Sequence, residues 1–69
     1  MTPGPRLGRI IKLFAESGYG FIRSENGIVA FFDADDLAQS EITSLQVGGR
    51  VRFELLAQGI PRATRVMVA

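Results

Sequence analysis

Gly18-Tyr19-Gly20-Phe21-Ile22-Arg23-Ser24-Glu25-Asn26-Gly27-Ile28-Val29-Ala30-Phe31-Phe32 is the stretch that decides the fold. Two β-branched and aromatic runs, Tyr19 to Arg23 and Ile28 to Phe32, flank Glu25-Asn26-Gly27, and such runs around an Asn-Gly pair read as an antiparallel hairpin. Asn and Gly both tolerate positive φ, so a tight turn using both is expected. Upstream, Arg9 to Phe14 supplies a first strand. Downstream, Arg50-Val-Arg-Phe-Glu-Leu alternates charged and apolar residues, with Val51, Phe53 and Leu55 on its core face. After a turn at Gln58-Gly59, Arg62 to Val68 gives a fifth strand with Val66 and Val68 pointing inward. Asp33 heads a short Ala/Leu stretch and caps one short helical turn between strands 3 and 4. Five strands in so short a chain fit a small closed all-β barrel, because closure removes exposed edges.

The chain has 69 residues, 46% of them hydrophobic and 22% charged. A domain of this size buries only about 60% of its unfolded surface, so one core is all it builds. Pro3, Gly4 and Pro5 make residues 1–6 a flexible arm, followed by one domain over 7–69. Without Cys or His there is no disulfide, no thiolate metal site and no imidazole base. The expectation is no cofactor, no bound metal and no catalytic residues. No apolar run approaches the roughly 20 residues of a spanning helix, and the opening residues lack a signal-peptide core, so a cytoplasmic monomer without membrane contact is expected. Net charge is +1, with four acids and no base in residues 33–45, leaving the flanking segments mildly positive.

Period-two alternation separates the faces of the early strands. Ile11, Ile22, Ile28 and Ala30 go inward, while Lys12, Phe14, Tyr19, Phe21, Val29 and Phe31 share one outer face. Phe32, at the strand end before the acidic turn, is placed with them. If the aliphatic set fills the barrel, the aromatic set faces water or a partner, and contiguous exposed apolar surface on a small domain marks a binding site. The alternative is a bulge that reverses parity and makes these rings core, which would put Lys12 inside.

These segments resemble the cold-shock domain family. Gly18-Tyr19-Gly20-Phe21-Ile22 is similar to its first ribonucleoprotein motif, Ile28-Val29-Ala30-Phe31-Phe32 to its second, and Gly8 to Phe14 to its opening strand. Ser44-Leu45 through Val47-Gly48-Gly49-Arg50-Val51-Arg52-Phe53 and Gly59-Ile60-Pro61-Arg62-Ala63-Thr64-Arg65-Val66 are similar to its later segments, in order. The resemblance covers about residues 7–68. It implies a five-stranded antiparallel OB-type barrel that binds single-stranded RNA or DNA, pyrimidine-rich strands in particular, and serves as an RNA chaperone or a regulator of transcription or translation. Position by position it implies Lys12, Phe14, Tyr19, Phe21, Phe31 and Phe32 as contacts, with Phe31 in place of a His. Arg62 and Arg65 are either solubilising charges or supplementary phosphate contacts. Leu13, Ser17, Val29 and Ile42 stand where the family has Trp, Lys, Phe and Phe. With fewer rings, weaker binding is expected, at about 1–3 kcal/mol per stacked base.

Other constellations carry less. Counting an EF-hand loop from Asp33 puts Ala38 and Ser44 where Gly and Glu are required, so the acids read as a helix cap and a solvated turn. Gly18-x-Gly20 lacks the third glycine and the helix of a dinucleotide site. Glu16 has no apolar surroundings to tune it for acid-base work. The rival to nucleic-acid binding is a protein-interaction module of the same barrel type, with a protein partner on the depleted aromatic face or the acidic turn.

Overall fold

The structure is a computed structural model that describes residues 5–38, 41–56 and 59–69. Five strands, β1 (Arg6–Phe14), β2 (Tyr19–Ser24), β3 (Val29–Asp33), β4 (Arg50–Leu56) and β5 (Arg62–Val68), close into a barrel in the order β1-β2-β3-β5-β4. All pairings are antiparallel except β3 with β5, whose parallel contact sets Phe31 beside Arg62 and closes the barrel. Of the expected arm, residues 1–4 lie outside the described residues, and Arg6 already pairs with Phe53. Gln58 of the expected last turn also lies outside them.

The β2–β3 hairpin forms at Glu25-Asn26-Gly27, but only Gly27 has positive φ, at 89°. Ser24 and Ile28 close a three-residue loop: the Ser24 N–H donates to the Ile28 carbonyl at 2.8 Å and the Gly27 N–H to the Ser24 carbonyl at 2.9 Å. That is the hairpin in which a left-handed glycine follows the turn, rather than the two-residue form. The Ser24 hydroxyl is buried and stays satisfied by accepting from the Ile28 N–H and bonding to the Asn26 side chain.

The expected turn after β3 is a 3₁₀ helix over Ala34–Asp36, capped reciprocally: the Asp33 carboxylate accepts from the Asp35 N–H and the Asp36 carboxylate from the Asp33 N–H. A second 3₁₀ turn, Ile42–Ser44, follows before β4.

Ile10, Ile22, Ala30, Phe32, Leu45, Val51, Phe53, Leu55, Ala63 and Val66 form the core, with Ile28 and Leu13 half-buried against it. Three expectations are corrected. Ile11 is not core: β1 carries an extra residue between Ile10 and Lys12 opposite consecutive Ile22 and Phe21, so Ile10 turns inward and Ile11 is pushed out. Val68, paired with Val51, is the last residue of β5 and is exposed. An extra residue in β5, with Arg65 at φ 52°, leaves Ala63 and Val66 as the buried pair. Phe32 is not on the outer face: it lies within β3, shares inward parity with Ala30, and is fully buried.

Candidate nucleic-acid interface

The outer face is organised in rungs, because residues directly opposite on neighbouring strands point the same way. A four-residue turn, in which the Gly18 N–H donates to the Phe14 carbonyl at 2.9 Å, brings Phe14 opposite Tyr19. Their rings stack, centroids 4.9 Å apart and planes 22° from parallel. On the next rung Lys12 faces Phe21, Phe21 faces Phe31, and Phe31 faces Arg62. Phe21 and Phe31 meet edge to face at 5.9 Å, and Tyr19 joins both, at 6.2 Å and 5.8 Å. Four rings therefore form one continuous surface. Phe14 is exposed, Tyr19, Phe21 and Phe31 are half-buried, and Lys12 stands free at the margin. The parity that puts Lys12 outside is the one observed.

Gly20, between Tyr19 and Phe21, faces inward opposite Phe32. A Cβ there would lie 2.6 Å from the Lys12 carbonyl oxygen and 2.9 Å from two Phe32 ring atoms. The missing side chain lets β1 and β2 close over Phe32, and this holds the rings of Tyr19 and Phe21 beside those of their neighbours.

Arg62 has a more constrained place than a free phosphate contact. Its guanidinium carbon lies 5.5 Å from the Phe31 ring centroid. The same guanidinium bonds Asp33 at 3.0 Å and Asp36 at 3.0 Å, which neutralises it. The hydrogen bond to Asp36 is the main reason the pKa of Arg62 rises above its already high ordinary value. Arg65 instead pairs loosely with Glu54 at 3.5 Å, away from the rings. Beside Arg62, exposed Ile60 and half-buried Pro61 extend the apolar surface from Phe21 and Phe31 into a shallow cavity of about 450 Å³.

Leu13 points away from this face, between outward Lys12 and Phe14, and packs against the core. It is therefore not an emptied ring position, whereas exposed Val29 does lie on the outer face opposite Arg23. Arg23, Arg9 and Arg50 share this face and were not among the expected contacts. Arg23 has the parity of Tyr19 and Phe21, which alternation alone could have flagged.

No family model and no curated protein sequence matches this chain. A solved structure of Drosophila Unr, titled "drosophila Unr CSD456", superimposes with a TM-score of 0.75 over 96% of the chain, at 22% identity. The fold is that of a cold-shock domain. This chain spans 27% of the length of that solved chain. In this barrel β1, β2 and β3 lie side by side, and those three strands carry the four rings and Lys12. Among the described residues no helix is long and apolar enough to cross a membrane.

Proposed function

We propose that the domain binds single-stranded RNA or DNA by stacking unpaired bases on Phe14, Tyr19, Phe21 and Phe31, with Lys12 holding the backbone. One observation carries this reading. The barrel interior is already filled by its own core, yet four rings remain contiguous on the outside, where folding alone does not require them. The cold-shock fold, a nucleic-acid-binding and non-enzymatic architecture, supports binding rather than catalysis. Arg62 serves this surface chiefly by fixing Phe31, since its charge is already matched. Pyrimidine-rich strands and a role as RNA chaperone or regulator in the cytoplasm are the finer reading that the resemblance implies.

Tyr19 is the sole tyrosine and there is no tryptophan, so intrinsic fluorescence reports on the site alone. Titration with oligo(dT), oligo(U) and a duplex should quench it with the single strands and leave it unchanged with the duplex. No response to any single strand would overturn the reading. A second reading has its own support in Ile60, 82% exposed beside Phe31 and Pro61, which suits an apolar protein segment. Failure with both single strands and duplex would favour it.

A further inference from the structure

The outer face continues beyond the rings into a row of cations. Strand register sets Arg23 opposite Arg9 and Arg9 opposite Arg50, so three arginines lie side by side across β2, β1 and β4. Arg23 is two residues from Phe21, which puts this row on the face of the rings and about 7 Å along the strand from them. All three side chains are exposed, and they line a shallow cavity of about 400 Å³ with Ile11 and Glu25. Ion pairs among the described residues involve only Arg62 and Arg65. Arg9 donates to the Gly48 carbonyl at 2.9 Å, a neutral partner that leaves its charge unmatched. Glu25 is the one carboxylate at the cavity and forms no ion pair with any of the three. Like charges directly opposite on adjacent strands oppose folding, and among the described residues no carboxylate forms an ion pair with this row.

We propose that Arg23, Arg9 and Arg50 form a phosphate track, on which a single strand leaving the rings at Phe21 lays its backbone. Guanidinium groups suit this task because their planar donor forks match phosphate oxygens. The proposal rests on the single-strand reading of the rings and extends the site to a longer strand.

The test compares the wild type with R23Q/R50Q, which spares the Arg9 bond to Gly48. Affinity is measured for oligo(dT) of about 4 and about 12 nucleotides, a short and a long strand within the site sizes of one OB barrel. For the longer strand, loss of two contacts should lower the slope of log K against log salt by about 1.4. The tightening between about 200 and 50 mM salt should then be about sevenfold smaller than in the wild type. The shorter strand should bind both proteins alike, and R23K/R50K should keep the wild-type slope. An unchanged slope for the longer strand in R23Q/R50Q overturns the track and leaves the ring reading standing. Equal loss for both strands, together with a lowered Tm, overturns it too by making the arginines structural. No wild-type binding to either strand overturns both readings.

Discussion

Arg62 lies over Phe31 at the barrel's parallel closure and is held there by Asp33 and Asp36, whose 3₁₀ turn it ties to β5. One side chain thus joins the acidic turn, the closing strand contact and the ring surface. Arg62→Ala should lower Tm, because the Asp36 carboxylate, only 8% exposed, then loses its cation. Asp36→Asn in that background should recover part of the loss. A double variant no more stable than Arg62→Ala would show that the pair does not couple.

Phe21→Ala and Phe31→Ala should each weaken single-strand binding by about 1–3 kcal/mol while the barrel stays folded. Phe32→Ala, which empties a fully buried position, should cost about 3–5 kcal/mol, comparable with the whole stability of so small a core. Circular dichroism melts beside binding titrations separate the two classes. Unfolding of Phe21→Ala or Phe31→Ala as complete as that of Phe32→Ala would contradict the assigned faces.

Val29→Phe and Leu13→Trp should part company. A ring at exposed position 29 enlarges the stacking surface and should tighten binding at least several-fold, at about 1–3 kcal/mol for an added stacked base. Trp at 13 must enter space against the core and should destabilise by about 1–3 kcal/mol without improving affinity. Improved affinity from Leu13→Trp at unchanged Tm would place residue 13 on the outside after all.

Gly20→Ala should destabilise by about 1–3 kcal/mol, since its Cβ meets a backbone oxygen of β1 that cannot swing aside. Because Tyr19 and Phe21 flank it, binding should weaken with it. Thermal melts and the Tyr19 fluorescence titration check both effects, and a Gly20→Ala protein as stable as the wild type would refute the close approach.

What was legible in the sequence follows strand regularity. Lys12 with Phe14, Tyr19 with Phe21, and Val29 with Phe31 lie in stretches where period two is unbroken, so their common face could be read directly. Ile10 with Ile11, and Ala63 with Val66 and Val68, lie around extra residues that shift the period, and neither site carries a glycine to announce it. Phe32 reads as the strand end before the acidic turn, whereas the strand runs one residue further: Asp33 is both the last of β3 and the cap of the next turn, so Phe32 keeps the inward parity of Ala30. Arg9, Arg23 and Arg50 are far apart in the chain, and only the strand register makes them neighbours.

The extra residue at Ile11 also makes β1 two strands in effect, each with its own inside and outside. Arg9 and Lys12 are three residues apart yet both face outward, which an unbroken strand forbids. Ile11 is therefore a spacer: a chain lacking it would bring Arg9 and Lys12 two apart and keep both outside, with Ile10 still inside. A one-residue change at Leu13 would instead exchange inner and outer residues on one side of it. Ile11 thus marks a point in this strand where removing one residue keeps every face, and it lies between the charged end of the outer face and its aromatic end.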